Sequence, residues 1–146
     1  MNLFTKQIKF IEDVQKEFNQ VIQRTIQSYD YVLKDYVVNK QLFRKGIDGD
    51  GKRLPGYSRT TIRMKISKGQ PADRTTLHDT QKFAISITID AFSDGFEIGS
   101  DVGYSKYLIR RYGKAILKPT DENLREFLQN YFVPNLKTYV NNKKPR

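Results

Sequence analysis

Three stretches within residues 46–113 decide the fold class: GIDGDGKRLPGYSRTTIRMK (46–65), LHDTQKFAISITI (77–89) and DGFEIGSDVGYSKYLIRRYG (94–113). Turn residues rich in glycine and aspartate punctuate them, and only short apolar runs lie between the turns. Some runs have helical spacing and others alternate as strands do. The stretch therefore predicts a small α+β core over residues 42–113 with an antiparallel hairpin.

Within this core the spacing predicts a series of short elements, each bounded by turn residues. In chain order these are a helix capped by Ser58 (58–66), a half-buried strand of alternating residues (83–89), a hairpin turn (93–95), a returning strand (96–99) and a helix that Gly113 ends (104–112).

The DGDG sequence that starts at Asp48 has the appearance of a calcium-binding loop. An EF-hand that begins there needs an oxygen ligand at its fifth position and a glutamate at its twelfth, where Lys52 and Arg59 stand. We therefore predict a plain loop over residues 46–56, in which Asp48 and Asp50 close Asx-turns.

Long helical segments are predicted on both sides of the core. Residues 3–38 predict a long N-terminal helix, because spacings of three, four and seven place apolar side chains on one face. The helix either bends near residues 25–28 or runs straight and packs on a neighbouring subunit. The apolar stripe consists of Phe4, Ile8, Ile11, Phe18, Ile22, Ile26, Tyr29, Leu33 and Tyr36.

At the other end, residues 115–117 predict a short third strand, and Thr120 is placed to cap a C-terminal helix over residues 120–140. Pro134 is expected to kink or end this helix, and residues 141–146 predict a frayed basic tail. The inner face of the helix is predicted to carry Leu124, Phe127, Leu128 and Tyr131.

Length and composition bound the protein class. At 146 residues the chain is predicted to be a single domain, 1–146. Cysteine is absent, which excludes disulfides and thiolate chemistry, and no apolar run of about 18 residues predicts a membrane span. The N-terminal sequence lacks the apolar segment of a signal peptide, so we expect assembly in a cytoplasm.

The net charge is +10, from 26 basic and 16 acidic residues. Such an excess favours an acidic partner, either nucleic acid or a negatively charged protein, although solubility alone also explains it. The basic residues expected to face DNA are the dense clusters Arg110, Arg111, Lys143, Lys144 and Arg146.

No pattern in the chain predicts catalysis or a cofactor. His78 is the only histidine, and Asp79 and Thr80 beside it are explained as caps of the following turn. Asp90 and Glu97 are expected to face each other across the hairpin, but one carboxylate pair does not make a two-metal nuclease. Nucleotide-binding glycine motifs are absent, so we predict no catalytic, cofactor or metal site.

Aromatic residues are abundant, with nine tyrosines and nine phenylalanines. Several tyrosines flank basic residues, which suits either base stacking or a protein interface where the ring is buried and the hydroxyl stays wet. We favour an interface between subunits, formed by Phe18, Ile22, Tyr29, Tyr57, Tyr104, Tyr107 and Tyr112.

The order of these motifs resembles the tail-completion or neck proteins of tailed bacteriophages, the group that includes the Mu-like virion morphogenesis proteins. The similarity lies in "YS-x-TT-x-x-x-K" from Tyr57, "L-x-DT-x-x-F-x-x-SI" from Leu77 and "Y-x-x-YL-x-x-YG" from Tyr104. That family often has glycine where this chain has Gln81 and histidine where it has Arg111.

The resemblance implies a structural virion protein rather than an enzyme. It implies a homo-oligomeric ring at the head–tail junction, in contact with portal or adaptor and tail-tube proteins, with non-specific contact to packaged DNA and no membrane. The alternative function is a basic protein that binds nucleic acid without a virion, and a third is a metal-dependent nuclease.

Overall fold

The computed structural model describes residues 2–143 and has a mixed α+β fold. Helices precede and follow one small antiparallel sheet. The elements are α1 (Leu3–Ser28), α2 (Asp30–Asp35), a π-helical segment (Tyr36–Phe43), α3 (Arg59–Ser67), α4 (Lys82–Ile85), β1 (Ile87–Ala91), β2 (Phe96–Ser100), α5 (Ser105–Tyr112), a 3₁₀ turn (Lys114–Leu117), α6 (Asp121–Phe127), a second π-helical segment (Leu128–Phe132) and α7 (Val133–Lys143).

The predicted long N-terminal helix exists and is interrupted after Ser28, as the alternative with a bend near residues 25–28 predicts. Thr25 and Ser28 donate their hydroxyls back to the carbonyls of Val21 and Arg24, at 2.7 and 2.8 Å. Such bonds compete with the helical ladder and bend helices. Accordingly α1 ends at Ser28, and the chain continues through α2 and the first π-helical segment to Phe43.

The hairpin is confirmed, but the strand predicted over residues 83–89 is partly wrong. Residues Lys82–Ile85 form α4, and β1 begins only at Ile87. Phe83 and Ile87 are both buried and four residues apart, a spacing that fits a helical turn as well as a strand, whereas Ile85 is 75% exposed. Across the hairpin Asp90 pairs with Glu97, as expected.

Two apolar clusters hold the molecule together. The hairpin core contains Val37, Leu42, Leu54, Phe83, Ile87, Ile98 and Ile116. The helix core contains Ile26, Val32, Leu33, Tyr36, Ala91 and Phe127. Ile89 and Phe96 of the hairpin pack against both clusters, so the sheet connects the long helices to the α3–α5 region.

The third strand predicted at residues 115–117 is wrong, because Lys114–Leu117 is a 3₁₀ turn. Its Ala115 carbonyl accepts a hydrogen bond from the Gly49 amide at 2.7 Å, and Ile116 is fully buried. This segment therefore closes the 46–56 loop instead of extending the sheet. In that loop Asp48 forms the predicted Asx-turn by accepting from the Asp50 and Lys52 amides, whereas the Asp50 carboxylate pairs with Lys118.

The C-terminal helix starts as predicted, since the Thr120 hydroxyl accepts from the Asn123 amide at 3.2 Å. Pro134 does not end it: a π-helical turn immediately precedes α7, which then runs to Lys143. Residues 141–143 are therefore helical, and the rest of the predicted frayed tail lies outside the described residues. Phe127 is buried as predicted, but Leu128 is exposed.

No helix among the described residues is long and apolar enough to cross a membrane.

Candidate functional site

The three motifs of the sequence meet around one cavity. It has a volume of about 470 Å³ and lies between α3, the 77–83 loop and α5. We call it the motif cavity. Its lining comprises Tyr57, Thr61, Met64 and Lys65 from the first motif, Lys68 just after it, Leu77, His78, Asp79, Thr80, Gln81, Lys82 and Phe83 from the second, and Tyr104, Leu108 and Tyr112 from the third.

A buried lysine forms part of the cavity wall. Lys65 is only 6% exposed, and its ammonium lies 5.0 Å from the centre of the Tyr57 ring. It donates to the Gln70 side-chain oxygen at 3.2 Å and to the His78 carbonyl at 3.0 Å. Both acceptors are neutral, and no carboxylate of residues 2–143 lies within ion-pair distance of this ammonium. The buried positive charge is therefore hydrogen-bonded but not neutralised.

The loop that closes the cavity is held by Tyr57 and contains two unusual backbone conformations. The Tyr57 hydroxyl accepts from the Thr76 amide at 2.9 Å. Leu77 and Gln81 have φ angles of 53° and 63°, in the left-handed region that side chains with a Cβ rarely adopt. Because such conformations persist only where the surroundings impose them, the loop shape is set by the packing of the cavity wall.

His78 and Asp79 are committed to structural contacts. The His78 ring lies against Phe43, with centroids 4.9 Å apart. The Asp79 carboxylate accepts from Lys68 at 2.8 Å, so the predicted capping role of Asp79 is wrong. The hydrogen bond from Lys68, followed by that from Gln70, holds the pKa of Asp79 below its usual value.

The cavity lining combines apolar and aromatic side chains with polar ones, and its formal charge is positive. Lys65, Lys68 and Lys82 contribute three positive charges, and Asp79 contributes one negative charge. This arrangement suits a ligand that carries a carboxylate or another anion beside an apolar group. Burial is the main cause that raises the pKa of Tyr112, which lines the cavity.

A second surface is the N-terminal half of α1, which extends beyond the two cores. Its large apolar side chains continue the stripe that is buried farther along the same helix. We call this surface the α1 apolar end; its exposed residues are Leu3, Phe4, Ile8, Phe10, Ile11 and Val14.

Between α1 and α7 lies an apolar groove of about 650 Å³. Phe18 and Tyr139 form its floor, with ring centroids 6.1 Å apart. A 2.7 Å ion pair between Glu17 and Lys143 crosses it. The groove is continuous with the α1 apolar end, since Phe10 and Val14 line both.

The predicted interface residues fall into two groups. Tyr57, Tyr104 and Tyr112 line the motif cavity. Tyr107 is 57% exposed, and the charged groups of Lys106 and Arg110 lie 5.2 and 5.9 Å from its ring centre.

The remaining three, Phe18, Ile22 and Tyr29, are half-buried beside the helix core or α7. The Tyr29 ring packs on Tyr131 with centroids 5.3 Å apart, and its hydroxyl accepts from Asn135 at 3.2 Å. These side chains therefore already have partners within the subunit.

The residues predicted to face DNA are not brought together. Arg110 and Arg111 are exposed on α5, and the Arg111 guanidinium lies 5.4 Å from the Tyr112 ring centre. Lys143 is paired with Glu17 at the end of α7. Lys144 and Arg146 lie outside the described residues.

Within residues 2–143 no group of three or more His, Asp or Glu side chains is placed to hold a metal ion. In the motif cavity no serine, threonine or tyrosine hydroxyl is hydrogen-bonded to the His78 ring.

Sequence reasoning missed two features of these surfaces. Leu3 and Phe10 share the exposed face of α1, which a helical projection of the apolar residues was sufficient to reveal. The burial of Lys65 had no such signal, because a lysine in a short amphipathic helix is ordinarily solvent-exposed.

Comparison with known proteins gives no relative: no family model matches the chain, and no curated protein or solved structure matches it.

Proposed function

We propose that this chain is a structural virion protein of a tailed phage, which forms a ring at the head–tail junction and takes part in joining head and tail. The observation that supports this most is that the three ordered motifs, far apart in sequence, line one cavity. Motifs that share a cavity wall form one recognition surface, and this surface combines positive charge with aromatic and apolar side chains.

The α1 apolar end gives the proposal a second support. Fully burying a large apolar side chain contributes about 1.5–3 kcal/mol, so six such side chains in a row are costly to leave in water. A ring of identical subunits needs one face of each copy to match a different face of the next. We assign the α1 apolar end to the contact with a neighbouring copy of this chain.

The partners and location follow from the same proposal. The ring contacts the portal or adaptor on one side and tail-tube proteins on the other, and it is assembled in the host cytoplasm. Its net charge of +10 suits a position around the DNA path.

Cryo-electron microscopy of the parent virion tests this function. We expect density for the chain at the head–tail junction, in a ring whose adjacent copies use two different faces. Isolated subunits need not form the ring, since the portal or adaptor acts as its template. Absence of the chain from purified virions, or a position on the capsid shell away from the portal vertex, would show the proposal to be wrong.

The alternative function is that of a basic nucleic-acid-binding protein that acts without a virion. The observation in its favour is the exposed group on α5, where Arg110, Arg111 and Lys106 surround the rings of Tyr107 and Tyr112. Cations and aromatic rings together bind single-stranded nucleic acid.

The third function, a metal-dependent nuclease, is tested by incubating the protein with plasmid DNA and magnesium or manganese. Plasmid DNA that stays intact would argue against it.

A further inference from the structure

Acidic and basic residues are unevenly distributed along this chain, which the net charge alone does not show. No Lys or Arg occurs between Lys82 and Lys106, although the protein as a whole carries 26 basic residues. The same interval holds four acids, namely Asp90, Asp94, Glu97 and Asp101. The β1–β2 hairpin is therefore an acidic element on a basic protein; its turn residue Ser93 lies beside α1.

The tip of this hairpin carries an exposed aromatic side chain. Phe92 is 47% exposed and lies between Asp90 and Asp94, both of which are exposed. The Phe92 amide donates to the Gly95 carbonyl at 2.7 Å, which closes the turn. None of the three carboxylates Asp90, Asp94 and Glu97 forms an ion pair with a residue of 2–143.

The motif cavity is complementary to this tip in both charge and polarity. Lys68 and Lys82 are exposed at positions that line it, and Lys65 is the buried cation of its wall. An ammonium has three hydrogens, and two of those on Lys65 are donated to neutral oxygens. Leu77 and Leu108 supply apolar surface for an aromatic ring.

A hairpin tip cannot reach the cavity of its own subunit. β1 starts two residues after α4, whose Lys82 and Phe83 line the cavity, and it runs for five residues before the tip. At about 3.3 Å per residue, the strand carries the tip roughly 15 Å away from that wall. The complementary surfaces therefore lie apart on one subunit, as a head-to-tail contact requires.

We propose that the hairpin tip of one copy, residues 92–94, docks in the motif cavity of a second copy. Phe92 enters between Leu77 and Leu108, and the flanking carboxylates face Lys82 and the ammonium of Lys65. This contact deepens the proposed function and rests on it, because it adds a head-to-tail contact between neighbouring copies to the one that we assign to the α1 apolar end.

A charge swap in the full-length chain tests the contact. Asp94→Lys places a positive charge on the tip opposite the positive cavity, and Lys82→Glu places a negative charge in the cavity opposite the negative tip. We expect each variant alone to self-associate at least tenfold more weakly than the wild type, measured by sedimentation velocity and by concentration-dependent NMR shifts up to millimolar protein. Mixing the two variants restores association, because the unchanged tip of the Lys82→Glu chain meets the unchanged cavity of the Asp94→Lys chain.

Two further variants keep the result specific. Phe92→Ser removes the anchor without changing charge and is expected to weaken association about tenfold or more. Lys137→Glu, on the exposed face of α7, changes the net charge as Lys82→Glu does but lies outside the cavity and is expected to leave association unchanged.

A wild-type chain that shows no concentration-dependent shifts at the tip and cavity, or a mixture that associates no better than its components, would overturn the contact. Association weakened equally in the Lys137→Glu variant would do the same, because it would reflect net charge alone. Tip-to-cavity association with no copies in the virion would refute the proposed function but not the contact, whereas a neck ring with free hairpin tips would refute the contact alone.

Discussion

At the scale of single residues, Gln81 shows where the backbone of the motif cavity is under strain. Its φ of 63° costs a residue with a Cβ roughly 1–2 kcal/mol. Glycine adopts this conformation freely, but it loses more backbone entropy on folding, which costs about 0.5–1 kcal/mol. Gln81→Gly is therefore expected to raise the free energy of unfolding by about 0.5–1 kcal/mol in urea denaturation.

Leu77 provides the control, because it shares the left-handed conformation but also packs against the hairpin core. Leu77→Gly relieves strain and removes buried apolar surface at once, so we expect a net loss of stability. An equal gain from both substitutions would mean that Leu77 contributes no packing.

Tyr36 offers a second test at this scale. Its side chain is buried in the helix core, and its hydroxyl has no hydrogen-bond partner of normal geometry among the described residues. The nearby Glu126 carboxylate is bound to Lys40 at 2.7 Å. Since an unsatisfied buried hydroxyl is destabilising, Tyr36→Phe is expected to leave stability unchanged or raise it by about 1 kcal/mol at neutral pH.

The same residue predicts a pH dependence. Burial, followed by the negative charge of Glu126, raises the pKa of Tyr36 to about 12. A tyrosine whose pKa is higher in the folded than in the unfolded state stays protonated when folded at a pH where the unfolded chain already ionises. The stability that this difference contributes is complete below the unfolded pKa of roughly 10 and is lost as the pH rises toward the folded pKa. We expect wild-type stability to fall between about pH 10 and 12 more steeply than that of the Tyr36→Phe variant. Parallel curves in this pH range would contradict the assignment.

At the scale of elements, one buried glutamine joins the first π-helical segment to the start of α6. The Gln41 side chain donates to the Lys118 carbonyl at 3.0 Å and accepts from the Thr120 amide and the Asn123 side chain, each at 2.8 Å. Gln41→Leu leaves these groups buried without partners, so we expect a loss of about 2–4 kcal/mol in unfolding free energy. Gln27→Leu, on the exposed side of α1, is the control and is expected to be nearly silent.

The helix α1 is expected to divide into two parts with different roles. Phe18 and Ile22 are half-buried, so truncation of either to alanine should cost about 1–2 kcal/mol, less than at a fully buried site. Phe4→Ser and Ile11→Ser lie in the α1 apolar end and are expected to leave the unfolding free energy unchanged while reducing incorporation into particles. Gln23→Glu is the polar control and is expected to change neither property. A loss of monomer stability from Phe4→Ser would show that the α1 apolar end packs within its own subunit.

At the scale of the whole molecule, the sequence was sufficient for the architecture but not for the details that build the site. Caps at Ser58 and Thr120 and the turn at Gly95 are local features with local causes, and all are present. The α4 turn was missed because Phe83 and Ile87 fit both helical and strand spacing. Nothing local indicated that the three motifs would enclose Lys65, since that depends on how α3 and α5 pack around the 77–83 loop.

The distribution of charge over the whole surface predicts how any contact with DNA will respond to salt. The basic residues predicted to face DNA are spread over α5 and the end of α7, and Lys143 is paired with Glu17. Without a shaped groove, binding should be electrostatic and independent of sequence.

We therefore expect the double variant Arg110→Ala with Arg111→Ala to reduce the slope of log K against log salt by roughly 0.9 for each phosphate of duplex DNA that the protein no longer neutralises. Lys143→Ala should reduce it less, because Glu17 already offsets that charge. Fluorescence anisotropy with two duplexes of unrelated sequence measures both the slope and the selectivity. Tight binding that distinguishes the two duplexes and survives high salt would contradict a neck protein that contacts packaged DNA non-specifically, and would favour a dedicated nucleic-acid-binding function.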